Sequence, residues 1–185
     1  HGITHLLTRD ERHAGYMADA YARVTGRPGV CEGPSGGGAT YILPGVVEAN
    51  ESSIPVLAIN SDVSTTSRGR YPLTELDQVA MFRPLTKWNA VIDRAQDIPR
   101  TLRAAFNAMT TGTPGAAHIG LPFDVQREAG QALANGLELV AEGEGHEACV
   151  ARRQFEAELL GELHRPLEGA IGDHQLLETS IEHGA

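Results

Sequence analysis

The fold is decided by residues 11–38, which read ERHAGYMADAYARVTGRPGVCEGPSGGG. The first fifteen of these residues predict a helix, 11–25, which Gly26 ends because glycine readily takes the left-handed conformation of a helix cap. Residues 29–31 then predict a short buried strand, and that strand leads into a glycine-rich loop at residues 34–38. A helix, a stop signal, a strand and a glycine-rich loop in this order are typical of an α/β fold.

The same alternation continues to about residue 125. Hydrophobic patterns predict strands at 3–7, 29–31, 54–59, 88–92 and 116–121, and helices at 11–25, 39–47, 75–82 and 98–109. Strands separated by helices form parallel sheets with right-handed crossovers. We therefore expect an α/β domain over residues 1–127, with an open parallel sheet flanked by helices. Residues 128–185 are expected to be a linker and an appended tail, with a helical segment at 150–163.

Glu11 is the most informative single residue. The apolar residues of its helix recur at helical spacing, at positions Ala14, Met17, Ala18, Tyr21 and Val24. Glu11 lies three residues before the first of them and so begins the predicted buried face. A carboxylate there is costly unless it is hydrogen-bonded, and it could hold or donate a proton near neutral pH. The alternative is an ordinary first-turn acid that the helix dipole favours, with Asp10 as the N-cap.

The glycine-rich loop allows backbone N–H groups to approach a ligand closely, because glycine has no side chain in the way. It lacks the Gly-Lys-Ser/Thr end of a phosphate-binding P-loop, and Asn60 stands where a dinucleotide site needs an acidic residue. A tight turn that packs closely on its helix is the structural alternative. Residues 33–37 also match Gly-x-Ser-x-Gly, so a hydrolase with Ser35 as nucleophile and His118 as base is a further alternative.

Three predicted strand ends carry polar or glycine-rich segments. Glu11 follows the first strand, the glycine-rich loop follows the second, and residues 60–62 follow the third. Open α/β sheets bind ligands beyond the carboxyl ends of their strands. The convergence of three such segments therefore favours a binding site more strongly than any one of them.

The composition excludes several classes of function. The chain has 185 residues and a net charge of −9 with no basic run, which argues against nucleic-acid binding. No apolar run is long enough to cross a membrane. The eight histidines form no metal signature, so no metal ligand is expected among them. The two cysteines are far apart, which fits a reducing compartment, and we expect a cytoplasmic protein.

Several segments, in order along the chain, resemble the pyrimidine-binding domain of thiamine-diphosphate enzymes, most closely the acetolactate synthase large subunits. They are residues 10–31, 34–40, 53–59, 75–78, 83–89 and 115–126. The resemblance spans about residues 4–126, and the family's first strand-helix unit is expected to be missing before residue 1. Gly37, Tyr41 and Thr74 depart from the proline, asparagine and glutamine that the family commonly has at these places.

The resemblance implies roles for individual residues. Glu11 corresponds to the catalytic glutamate that hydrogen-bonds the aminopyrimidine ring of the cofactor and promotes removal of the thiazolium C2 proton. The residues implied to bind the cofactor are Ser35, Gly36, Gly37, Gly38, Tyr41 and Thr74. Arg83 and Lys87 resemble positions near the substrate channel or the flavin side.

The resemblance also implies an activity and its partners. We expect thiamine-diphosphate-dependent decarboxylation and carboligation of a 2-oxo acid, with this chain as the pyrimidine-binding half of the site. Mg²⁺ would be bound mainly by a diphosphate-binding domain or subunit outside this chain, FAD use stays open, and the assembly would be a homodimer or tetramer. The alternatives are a 2-oxo acid decarboxylase, a sulfoacetaldehyde acetyltransferase, an acyl-CoA lyase, or a non-catalytic subunit or fragment.

Overall fold

The computed structural model describes residues 4–128, which form an open sheet of four parallel strands flanked by helices. The strands are β1 (Gly29–Gly33), β2 (Val56–Asp62), β3 (Trp88–Val91) and β4 (Ala117–Pro122). Their order across the sheet is β1-β2-β4-β3, and every neighbouring pair is parallel. The predicted fold class is confirmed.

Six helices connect and cover these strands. They are α1 (Glu11–Thr25), α2 (Gly37–Tyr41), α3 (Leu43–Glu51), α4 (Gln78–Phe82), α5 (Ile98–Thr110) and α6 (Phe123–Arg127). One core packs α5 against the sheet, with Leu102, Phe106 and Met109 facing Leu57 and Ile119. A second core lies on the other face, with residues of α1, α3 and α4 packed on β1 and β2. Both faces of the sheet are therefore covered, as parallel sheets require.

Local capping fixes the ends of α1 where the sequence predicts them. The Asp10 side chain accepts a hydrogen bond from the Arg12 backbone N–H at 2.9 Å, as an N-cap does. Gly26 takes the left-handed conformation, with φ of 66°, and its N–H donates to the carbonyl of Ala22. Glu11 is thus the first residue of α1.

The predicted orientation of α1 is wrong in part. Its buried residues are Gly15, Ala18, Asp19 and Ala22, whereas Met17, Tyr21 and Val24 are exposed. The cause is a backbone contact between α1 and α3, because a Cβ on Gly45 would overlap the Gly15 carbonyl carbon. The side of α1 with the smallest residues therefore faces inward, since it allows the closest approach of the two helices.

The strand predicted at 3–7 is also wrong for the residues that the structure describes. Residues 4–8 have no regular secondary structure and pair with no described strand, and Leu7 is fully exposed. The helix predicted at 39–47 is divided at Ile42 because Pro44 has no N–H to continue the hydrogen bonding. Helix α6 was not predicted, and β2 extends to Asp62. The predicted tail at 128–185, with its helical segment, lies almost wholly outside the described residues.

Candidate functional site

Glu11 lies against the end of β1 and the start of α2. A Cβ placed on Gly38 would be 3.3 Å from the Glu11 Oε1, and one placed on Gly33 would be 3.7 Å from the Glu11 Cγ. The side chain is partly buried. Within residues 4–128, no group donates a hydrogen bond to its carboxylate. A partly shielded acid with free hydrogen-bonding capacity is the kind of group that binds a polar ligand atom.

The glycine-rich loop, residues 34–38, lies directly beside this carboxylate. Gly38 has room only for a hydrogen, because a Cβ there would overlap the Pro34 ring. Gly36 has a φ of 64°, a conformation that favours glycine. Gly37 is exposed, and a Cβ there would meet nothing within 4 Å. The loop therefore presents bare backbone next to the Glu11 side chain.

Asn60, at the end of β2, lies beneath the loop and is fully buried. Its Nδ2 donates to the Pro34 carbonyl at 3.4 Å, and it would be 2.9 Å from a Cβ on Gly33. Its Oδ1 accepts no hydrogen bond from any residue in the described range. The sequence placed residues 60–62 at this edge of the sheet, which is confirmed, but it did not single out Asn60 as part of the site.

Ser35 and Thr74 join the glycine-rich loop to the long loop before α4. Their hydroxyl oxygens are 2.9 Å apart, and a Cβ on Gly36 would be 2.7 Å from the Thr74 Cβ. Tyr41 lies on another side of the site, with its ring 5.9 Å from the guanidinium carbon of Arg12. The structure thus brings Gly38 against Glu11 and brings Ser35 and Gly36, in the same loop, against Thr74. Tyr41 is connected to the site through Arg12, the residue after Glu11.

Arg83 and Lys87 do not lie in this cluster. Arg83 ends α4, and Lys87 immediately precedes β3, so both residues come before the amino end of that strand. The Lys87 ammonium donates to the backbone carbonyls of Thr111 and Thr113 at 2.5 and 2.8 Å. Glu11 lies at the opposite, carboxyl end of the parallel sheet. The substrate or flavin role of these two residues therefore stays a prediction.

The long loop after β2 is fixed by hydrogen bonds to one carboxylate and by a pair of salt bridges. Asp124 accepts hydrogen bonds from the Thr65 N–H and hydroxyl at 3.0 and 2.6 Å. Arg68 joins Asp62, at 3.4 Å, to Asp93, at 2.5 Å. Burial raises the pKa of Asp62, and the guanidinium of Arg68 opposes that rise. These carboxylates order the loop that carries Thr74, and sequence patterns did not reveal them.

The hydrolase alternative is not supported by this geometry. His118 is fully buried within β4 and stacks on Phe82, with ring centroids 3.6 Å apart. Burial lowers the pKa of His118 to about 3. The Ser35 hydroxyl pairs with Thr74 instead of a histidine. Residues 4–128 also contain no group of three acidic, histidine or cysteine side chains suited to a metal ion, and no helix among them is long and apolar enough to cross a membrane.

These features define an α/β domain whose carboxyl edge carries a carboxylate and a glycine-rich loop, the edge at which open α/β sheets commonly bind ligands. The family model described as "Thiamine pyrophosphate enzyme, N-terminal TPP binding domain" matches residues 1–81, and thiamine pyrophosphate is another name for thiamine diphosphate. The chain is therefore related to the N-terminal domains of thiamine-diphosphate enzymes. The resemblance found in the sequence is confirmed.

Curated proteins that are similar to this chain include acetolactate synthases. The chain is 44% identical over 124 residues to the "Probable acetolactate synthase large subunit" of Methanocaldococcus jannaschii, a match that covers 67% of this chain and 21% of that protein. It is 40% identical over 124 residues to the acetolactate synthase large subunit of Corynebacterium glutamicum, covering 67% and 20%. The chain thus spans about a fifth of the length of the curated relatives that it matches.

Proposed function

We propose that this chain binds the aminopyrimidine ring of thiamine diphosphate and supplies half of the active site of an enzyme that decarboxylates and ligates 2-oxo acids. The observation that carries this proposal is the Glu11 carboxylate, which lies beside the bare backbone of Gly38 and has no hydrogen-bond donor in the described range. The similarity to acetolactate synthases supports the substrate class and the carboligation step.

The residues around Glu11 fit the pyrimidine end of the cofactor. A flat ring can approach the loop at Gly37, which is exposed and has open space beside it, whereas the space next to Gly38 is filled by Pro34. Glu11 would hydrogen-bond a ring nitrogen of the cofactor, the role of the glutamate that it resembles in thiamine-diphosphate enzymes. Thiamine diphosphate, when bound, supplies the electron sink for decarboxylation. The chain's own contribution is to orient the ring and to hold a proton at the Glu11 carboxyl.

A second domain or subunit would bind the other end of the cofactor. Residues 4–128 offer no cluster of ligands for Mg²⁺, so we assign the diphosphate and Mg²⁺ to that partner. Large apolar side chains before and along α1 are exposed, with Leu6 at 71%, Met17 at 45% and Tyr21 at 48%. Exposed apolar groups of this kind commonly become buried at interfaces. We therefore propose a homodimer or tetramer in which this surface is covered.

The test is Glu11→Gln in the enzyme assembled with its diphosphate-binding half. The substitution keeps the size of the side chain but removes the acid, and Glu51→Gln, at the exposed end of α3, is the matched control. Loss of a proton-transferring group typically lowers turnover by about 10²–10⁴-fold. We expect a loss of that size for Glu11→Gln and none for Glu51→Gln, with unchanged circular dichroism for both. Full turnover by Glu11→Gln would refute the proposal.

A further inference from the structure

Two loops that are far apart in sequence meet at Thr74. The first is the glycine-rich loop, and the second is the loop 63–77 between β2 and α4. The Thr74 hydroxyl is 2.9 Å from that of Ser35, and the Thr74 Cβ occupies the place next to Gly36 that any side chain on Gly36 would need. Thr74 therefore contacts the loop through both a hydrogen bond and packing.

The backbone of Thr74 is strained. Its φ is 76°, in the left-handed region that β-branched residues rarely adopt. Tyr71, in the same loop, has a φ of 55°, but its side chain is 95% exposed. Non-glycine residues held in such conformations cluster at functional sites, where the surrounding structure keeps them in place. Thr74 is exposed as well, but its side chain contacts Ser35 and Gly36.

The loop is held on both sides of the strained residues. Glu75 accepts a hydrogen bond from the Gly69 N–H at 2.6 Å, which closes the segment that contains Thr74. Nearer to β2, Asp124 holds the Thr65 N–H and hydroxyl. These contacts fix the course of the loop on both sides of Thr74.

We propose that Thr74 is a positioning residue whose hydroxyl bond to Ser35 and packing on Gly36 hold the glycine-rich loop where Gly38 meets the Glu11 carboxylate. The inference deepens the proposed function, on which it rests for its catalytic meaning. The strained backbone of Thr74 is kept because it places the hydroxyl and the Cβ against the loop. A glycine at position 74 would relieve the strain but would lose both contacts.

Two backbone amide protons report on the conformation of the glycine-rich loop. The Thr40 N–H donates to the Gly36 carbonyl at 3.2 Å, and the Ile42 N–H donates to the Gly38 carbonyl at 3.1 Å. If the loop moves away, these two bonds lengthen and their amide protons exchange faster with solvent. The Thr111 amide, which donates to Asn107 at the end of α5, serves as an internal reference.

The experiment is amide hydrogen exchange, followed by NMR, on the 185-residue chain without cofactor. Ser35→Ala and Thr74→Val each remove one hydroxyl of the pair and change little else. Loss of one such hydrogen bond should speed exchange of the Thr40 and Ile42 amides by about two- to ten-fold. The double variant should exchange no faster than either single variant, because both remove the same bond. Unchanged exchange, or additive effects in the double variant, would overturn the proposal.

A second pair of variants separates positioning from general stability. Thr74→Gly and Tyr71→Gly both relieve a positive φ and both add the freedom of glycine to the unfolded chain, so these two effects are common to the pair. Only Thr74→Gly should speed exchange of the Thr40 amide, since the Tyr71 side chain is exposed. Equal exchange in the two variants would overturn the proposal. Because these measurements need no cofactor, they remain valid even if turnover of Glu11→Gln refutes the proposed function.

Discussion

Substitution by alanine should have opposite effects on stability at the neighbouring positions Gly37 and Gly38, because only Gly38 is closely surrounded. A Cβ on Gly38 would come well within 3.0 Å of the Pro34 ring and within 3.3 Å of the Glu11 Oε1, whereas a Cβ on Gly37 would meet nothing within 4 Å. Gly37 and Gly38 both lie in α2, and neither has a positive φ. Gly37→Ala is therefore a matched control for Gly38→Ala.

The expected magnitudes follow from two terms. Replacing glycine by alanine at a compatible position stabilises a protein by about 0.4–1 kcal/mol, because it reduces the conformational freedom of the unfolded chain. That term is common to both variants and cancels in their difference. Forcing an extra carbon into a filled space costs about 1–3 kcal/mol, and only Gly38→Ala meets this cost. Gly38→Ala should thus be less stable than Gly37→Ala by about 1–3 kcal/mol.

Urea unfolding, followed by the fluorescence of the single tryptophan Trp88, measures this difference. With an m-value of about 2 kcal/mol/M, the two midpoints should differ by about 0.5–1.5 M. The m-value should be the same in both variants, which confirms that the native state and not the denatured state has changed. Equal midpoints would refute the reasoning, because they would mean that the Pro34 ring gives way freely and that the loop is not fixed beside Glu11.

Two further predictions concern pH. Burial lowers the pKa of His118 to about 3 from 6.5, so stability should be complete above pH 6.5 and fall as the pH drops towards 3. His118→Leu should remove most of this decline in urea midpoints, and equal declines would contradict the assignment. Burial opposes ionisation of Asp124, but hydrogen bonds from Thr65 and its own backbone outweigh it and hold the pKa of Asp124 below its ordinary value. The stability that these hydrogen bonds contribute is present above the ordinary carboxyl pKa and is lost as the pH falls through the lower pKa of the folded state. Asp124→Asn should therefore lower the free energy of unfolding by about 1–2 kcal/mol at pH 7 and by less near pH 3. A deficit that does not change with pH would contradict this account of Asp124.

Features that depend on local sequence were predictable. The ends of α1 follow from Asp10 and Gly26, whose capping roles depend only on neighbouring residues. The continuous apolar run before Asn60 predicted a central strand covered on both faces, which is confirmed as β2. The meeting of the glycine-rich loop and residues 60–62 at one edge also followed from the alternation of strands and helices, whereas Glu11 reaches that edge without the strand predicted before it.

Features that depend on contacts between distant segments were not predictable. The apolar stripe of α1 pointed to the wrong inward face, because the small residues Gly15 and Gly45 allow a closer approach than Met17 or Tyr21 would. The strand predicted near the N-terminus finds no neighbour among the described strands, and a strand without a neighbour does not form. The pairing of Ser35 with Thr74 spans 39 residues, and no periodic pattern encodes it.

The contact between the glycines of α1 and α3 determines how accurately Glu11 is held. Gly15 is four residues from Glu11, so the carboxylate is about 6 Å along the helix axis from the point where the two helices touch. A tilt of about 10° around that point would move Glu11 by only about 1 Å, but a displacement of that size can lower a catalytic rate about 100-fold. The crossing acts as a pivot with a short arm, so a side chain added at Gly15 or Gly45, where the two backbones touch, should shift the Glu11 carboxylate.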